Sequence, residues 1–131
     1  MVKEIEEAFS LYFDGAYRRK EGKAAAAGLV IFNPVHEKMM ERGLVLEDVS
    51  SNNEAEYEAL IKGLEWCVSS GITRLNVYGD SMLIVKQVQG IWSCKSDKLS
   101  LKLMEVKSLL RRITHVQIHY VGRAKNQDQM R

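Results

Sequence analysis

The apolar positions of this chain change period along its length, and each change marks a secondary-structure element. From Phe9 to Phe13 they alternate with Ser10 and Tyr12, which predicts a strand that stops at Asp14-Gly15. A turn, AYRRKEGK, follows. AAAAGLVIFNP and MMERGLVLE predict two further strands joined at NPVHEK, where Asn33 and Pro34 supply turn chemistry. Three consecutive strands of this kind predict an antiparallel meander. Ser51, Asn52 and Asn53 are each suited to begin a helix, and Ser70-Gly71 to end it. ITRLNVYGD predicts a strand and SMLIVKQVQG a short helix between Ser81 and Gly90. DKLSLKLMEVKSLLRRI carries Leu99, Leu103, Val106, Leu110 and Ile113 at helical spacing, and HVQIHYV, rich in β-branched and aromatic residues, predicts a last strand. After Tyr120 the pattern predicts very little. No repeat, low-complexity run or linker divides the chain.

With 131 residues, 46% of them hydrophobic, the chain is long enough for one proper core and too short for two ordinary domains. A single domain over 1–131 is expected. Nineteen Lys and Arg against seventeen Asp and Glu leave a net charge of only +2, so bulk charge demands no nucleic-acid partner and clustering matters more than the sum. Cys67 and Cys94 have no metal-like spacing and are expected to be reduced thiols. The opening MVKEIEEAFS is acidic where a signal peptide needs a basic start, and no run approaches the ~20 apolar residues of a membrane span. An intracellular location, cytoplasmic or nuclear, and no membrane partner are therefore expected.

The stretch NNEAEYEALIKGLEWCVSSG concentrates acids on one helix. Walking three, four, seven, eight and eleven residues from Glu56 meets Ala59, Leu60, Gly63, Leu64 and Cys67, so Glu56 lies on the buried stripe. The same walk from Glu54 meets Glu58, Lys62 and Glu65, which predicts a solvated face. A buried carboxylate needs a hydrogen bond, a cation or a metal. Glu56 is either a local cap favoured by the helix dipole or a site residue. Asp14 and Asp80 each end a predicted strand beside a glycine that permits close approach. If those strands are neighbours, three carboxylates crowd together, and a hard cation such as Mg²⁺ relieves their repulsion. Taken singly, each Asp is equally well a turn or cap residue.

YFDGA, NNEAEYEAL and VYGDS, in this order and with Asp80 about two dozen residues after Glu56, resemble the ribonuclease H type 1 family, especially its compact retroelement and archaeal-like forms. The resemblance runs from about Leu11 to Asn126. It implies an α/β, RNase H-like fold with a five-stranded mixed sheet, three antiparallel strands preceding the first helix, flanked by helices. It also implies endonucleolytic cleavage of the RNA strand of RNA/DNA hybrids with two divalent ions, Mg²⁺ or Mn²⁺. By match to the family's motifs Asp14, Glu56 and Asp80 are the catalytic, metal-binding acids. Asn52 and Asn53 correspond to the polar helix start that meets the minor groove of the hybrid. Ser81, Trp92, Lys95, Arg123 and Asn126 are further candidates for substrate contact.

The family's fourth acid falls at Met130 in NQDQMR; Asp128 lies two residues early and is a possible metal ligand only if the backbone there is rearranged. The closing helix is expected to be absent and the domain truncated at its C-terminus, which would expose an apolar face of the sheet. The alternative function is thus a catalytically impaired module that binds hybrid or duplex nucleic acid, or a protein partner. Arg18, Arg19, Lys20 and Lys23, with Lys95, Lys98, Lys102, Arg123 and Lys125, either grip phosphates or form an ordinary solvated surface. Trp92 either stacks on a sugar or base of the substrate or takes a core or edge role. His115 and His119 lie ~13 Å apart on a strand, too far to share zinc.

Overall fold

A computed structural model describes residues 3–18 and 24–131. Arg19, Lys20 and Lys23 of the basic turn lie outside the described residues, as does the side chain of Arg18. The elements are β1 (Phe9–Arg18), β2 (Ala24–Phe32), β3 (Lys38–Leu46), α1 (Asn52–Ser69), β4 (Arg74–Gly79), α2 (Met82–Val88), α3 (Asp97–Leu110), β5 (His115–Tyr120) and α4 (Arg123–Met130). They form the expected α/β architecture, a five-stranded sheet of order β3-β2-β1-β4-β5 flanked by four helices. The meander β1-β2-β3 is antiparallel, and β4 and β5 add in parallel on the far side of β1. The sheet is therefore mixed, with β1 at its centre.

The side-chain alternation of the inner strands separates two apolar layers. Leu11, Phe13, Leu29, Ile31, Leu75 and Val77 face α1 and α3, packing with Leu60, Leu64, Leu103 and Val106 in the main core. Tyr12, Val30, Phe32 and Tyr78 face the other way and pack with Val121 and Met130. Between β2 and β3, Asn33 Oδ1 accepts the backbone N–H groups of Val35 and Glu37 at 3.1 and 2.8 Å, an Asx-type closure of the turn.

Helix boundaries follow local chemistry. Ser51, Ser81 and Ser96 cap α1, α2 and α3 by accepting the N–H groups of Glu54, Ile84 and Leu99. Gly71 (φ +71) and Gly90 (φ +80) follow the ends of α1 and α2 in the left-handed conformation that disfavours residues with a Cβ. Cys67 is buried and Cys94 half-buried, both as free thiols. No helix among the described residues is long and apolar enough to cross a membrane.

Two expectations are corrected. β1 does not stop at Asp14-Gly15 but pairs with β2 as far as Arg18, with Asp14 opposite Gly28 and Gly15 opposite Ala27. Glycine is required there because α1 is pressed against it: a Cβ on Gly15 would collide with the backbone of Ala55 and Glu56. The closing helix is also present, as the eight-residue α4. Its anchors are Asn126, which is fully buried and donates from Nδ2 to the Phe13 carbonyl at 3.1 Å, and Met130, which packs on the second apolar layer. A short polar helix held by one buried amide leaves almost no apolar periodicity to read.

Gly15→Ala is expected to destabilise the protein by about 3 kcal/mol or to block folding, because two backbones must separate. Gly43→Ala, at a position where a Cβ meets nothing within 4 Å, serves as the control in the same urea titration. It should fall within about 0.5 kcal/mol of the parent.

Candidate metal centre

β1 and β4 are parallel neighbours, with Phe13 opposite Gly79, so the residues that follow, Asp14 and Asp80, emerge side by side. Gly79 allows this pairing to pack: a Cβ there would lie 2.6 Å from the Phe13 ring. Glu56 arrives from the first turns of α1, carried against β1 at Gly15. One carboxylate oxygen from each of Asp14, Glu56 and Asp80 lies within 4.8 Å of the other two. The buried-stripe reading of Glu56 and the neighbour-strand condition for the two aspartates are both met.

Glu56 is 7% exposed and its Oε2 is buried without a partner. Burial, with Asp14 and then Asp80 adding repulsion, pushes its pKa up to about 9, against the opposing pull of the Gly15 N–H. Asp80 is raised as well, first by burial and then by Asp14, while Asn126 Nδ2 at 3.3 Å and the Arg123 guanidinium at 4.0 Å work in the other direction. Asp14 Oδ1 accepts the Gly15 N–H at 2.9 Å. Three oxygen donors, an orphaned buried oxygen and mutual repulsion fit a divalent cation. Asp14, Glu56 and Asp80 are the described residues that would hold it.

Around this centre the other candidates separate. Arg123 is near Asp80 with its side chain 82% exposed. Ser81, next to Asp80, caps α2. Asn52 is exposed at the start of α1 and its Oδ1 accepts the Tyr17 N–H at 2.7 Å; Asn53 beside it is half-buried. Trp92 is 46% exposed, which sets aside the core-packing reading, and Lys95 is exposed on the same loop. Asn126, a substrate-contact candidate, is instead wholly buried between the Phe13 carbonyl and Asp80, so it positions the acid and is closed to solvent. Asp128 is not brought to the cluster: it is exposed and its Oδ1 lies 3.7 Å from the Arg131 guanidinium. α4 turns it outward and directs Met130 toward the sheet, over Gly28 and beside Asp14.

One acid was placed on the wrong side. Glu54 is 5% exposed, its Oε2 accepting the Ser50 N–H at 2.9 Å and the Ser50 and Ser51 hydroxyls at 2.6 and 3.3 Å. Burial alone would raise its pKa, but the Ser50 bonds, Lys98 and Ser51 outweigh burial and hold it below the ordinary range. Ser51-x-x-Glu54 is a capping-box spacing, the sequence signal that identifies this position. Glu58 is half-buried and pairs with Lys102 at 2.7 Å, whereas Glu65 is exposed toward Lys62, in keeping with a solvated face.

The raised pKa of Glu56 has a thermodynamic consequence. Above its ordinary value of 4.5 the unfolded chain releases a proton that the folded metal-free protein retains up to about 9. Wild-type stability in EDTA therefore falls as pH rises through that window. Glu56→Gln should raise the unfolding free energy of the EDTA-treated protein in urea titrations, by an amount that grows from pH 4 to pH 8 and reaches at least ~1 kcal/mol. Mg²⁺ should then stabilise the parent and leave Glu56→Gln unmoved. A gap that does not vary with pH would contradict this assignment.

Comparison with known proteins agrees with the geometry. The sequence profile of the reverse transcriptase-like family matches residues 12–128. Ribonuclease HI of Halobacterium salinarum is 33% identical over 121 residues, covering 88% of this chain and 57% of that protein. The chain thus spans little more than half the length of this curated relative. The crystal structure of RNase H1 from the same archaeon superposes with a TM-score of 0.84 at 34% identity, covering 91% of this chain and 89% of that one. The N-terminal RNase H domain of Rv2228c from Mycobacterium tuberculosis gives 0.84 at 30% identity, with 91% and 90% covered. LC11-RNase H1, solved in complex with an RNA/DNA hybrid, gives 0.82 at 30% identity, with 92% and 89% covered. By profile, identity and superposition, this chain belongs to the reverse transcriptase-like family and, within it, to the ribonuclease H type 1 proteins.

Proposed function

We infer that this protein is a divalent-metal-dependent endoribonuclease that hydrolyses the RNA strand of RNA/DNA hybrids. The observation that carries this reading is the cluster of Asp14, Glu56 and Asp80, three carboxylates whose oxygens lie within 4.8 Å of one another around an unpartnered buried oxygen of Glu56. The hybrid seen with LC11-RNase H1 supports the substrate class. Two ions of Mg²⁺ or Mn²⁺, held by these acids and the scissile phosphate, would activate the attacking water and stabilise the leaving oxygen of an in-line displacement.

The chain's own residues supply the rest. Asn126 holds Asp80 in place through its buried amide, and the Arg123 guanidinium beside Asp80 offers a charge to the backbone of the bound strand. Asn52 and Asn53 at the start of α1, with Ser81 next to Asp80, would meet a minor groove, where 2′-hydroxyl contacts distinguish RNA from DNA. Trp92 offers an aromatic face and Lys95 a cation to the second strand. Such contacts read shape and 2′-hydroxyls, so base sequence should matter little.

Met130 favours a second reading, in which the chain binds hybrid without turnover. The thioether that covers Gly28 beside Asp14 supplies no oxygen ligand, so among the described residues the centre has three acids. Under this reading hybrid binding is independent of metal, sensitive to salt and retained by Glu56→Gln.

Incubating the protein with a labelled hybrid and Mg²⁺ or Mn²⁺ separates the two. Internal cuts confined to the RNA strand are expected, and Asp80→Asn should slow them by about two orders of magnitude. Absence of cleavage at high protein concentration, or cleavage that survives Asp80→Asn, refutes the nuclease reading. Met130→Asp, placing a fourth carboxylate beside Asp14, should tighten metal binding by about tenfold, measured as the Mg²⁺ concentration at half-maximal rate.

A further inference from the structure

Immediately after Glu56 on α1, Tyr57 is completely buried, yet it carries a hydroxyl. Its Oη donates to Gln87 Oε1 at 2.7 Å, a buried bond from α1 to α2. Gln87 is itself 4% exposed, on a helix whose other buried residues, Ile84, Val85 and Val88, are all apolar. An amide in such surroundings is costly unless its oxygen and nitrogen are both engaged. The Ser93 carbonyl, which can only accept, lies 3.5 Å from Nε2 and so sets the amide orientation, leaving Oε1 to accept from Tyr57.

Ser93 lies in the loop between α2 and α3. The Ile91 and Trp92 N–H groups close on the Lys86 carbonyl at 2.9 and 3.2 Å, and the Ser100 hydroxyl donates to the Cys94 carbonyl at 3.2 Å. Gln87 holds the residue between these two anchors. The loop exposes Trp92 and Lys95. A phenylalanine at position 57 with a leucine at position 87 would bury no polar group there, so core filling alone leaves the Tyr57–Gln87 pair unexplained.

We propose that Tyr57 and Gln87 form a buried positioning couple that holds the Trp92–Lys95 loop in register with α1, the helix that carries Glu56. Both are positioning residues, acting through the loop. The proposal rests on the hybrid-cleaving reading for its substrate, and on the two hydrogen bonds for its mechanics. It ties the grip on the duplex to the same helix that places one of the three acids.

The test compares the parent, Tyr57→Phe, Gln87→Leu and the double variant, with Cys67→Ala as a control that truncates an equally buried side chain of α1. Three quantities are read: hydrogen–deuterium exchange of residues 90–96, Trp92 emission in a Trp66→Phe background, and steady-state cleavage of a labelled hybrid. Either single variant should exchange faster in the loop, leave Trp92 more open to quenching, and raise KM about tenfold with kcat within about twofold. The double variant pairs two apolar groups and should recover stability, because no buried polar atom is left alone. Its loop exchange and KM should nevertheless stay as impaired as in the single variants. Cys67→Ala should lose stability with an unchanged KM.

Recovery of KM together with stability in the double variant would reduce the couple to core packing and overturn the proposal. So would an unchanged KM in Tyr57→Phe while the parent cleaves. A parent that cleaves no hybrid refutes the hydrolase reading instead, and loop exchange then decides the couple alone: faster exchange supports it, unchanged exchange overturns it.

Discussion

The contact on which the site depends is the one between the backbone of α1 and the backbone of β1 at Gly15. No side chain separates them, so the first turns of the helix lie directly on the central strand. Glu56 is carried to Asp14 by that proximity, and the parallel pairing of β1 with β4 brings Asp80 to the same place. Gly79 repeats the device one strand away, leaving room for the Phe13 ring. Two positions without a Cβ thus convert a generic helix-on-sheet packing into a three-carboxylate centre.

Such a centre is under electrostatic stress when nothing occupies it. Glu56 relieves the stress by retaining its proton, the response of a buried acid beside two others. Glu54, two residues earlier and just as inaccessible, behaves in the opposite way because Ser50 and Ser51 donate to its carboxylate. Burial alone therefore does not distinguish a site acid from a structural one; the availability of donors does. The same criterion separates Asn126, whose amide nitrogen is spent on Phe13 and Asp80 while its Oδ1 stays buried without a partner, from Arg123, whose guanidinium remains in solvent.

Much of this was legible in the residues. The succession of strands and helices, the Ser51 and Ser81 caps, the glycine stops and the inward direction of Glu56 follow from periods of two and 3.6 and from capping chemistry. The extension of β1 past Asp14 was hidden because an Asp-Gly pair ordinarily signals a turn, and only the helix lying against Gly15 gives that glycine another purpose. α4 was hidden because its stability comes from Asn126 and Met130 rather than from an apolar stripe. Glu54 was misplaced because the helical walk assigns a face and does not register that the first turn can fold its own cap over a carboxylate.

By itself the sequence determined which segments form strands and helices, bend and cap, since those depend on neighbours a few residues away, and it nominated three acids by their place at strand and helix ends. Only the tertiary structure decided which carboxylates share a space, which polar groups are already satisfied, and that the residue beside Asp14 from α4 is Met130 rather than Asp128. Those outcomes depend on distances between residues 40 to more than 100 positions apart, such as Asp14 to Glu56 and Phe13 to Asn126. Local periodicity carries no information across such separations. Close packing supplies it, because it fixes what each buried polar atom meets.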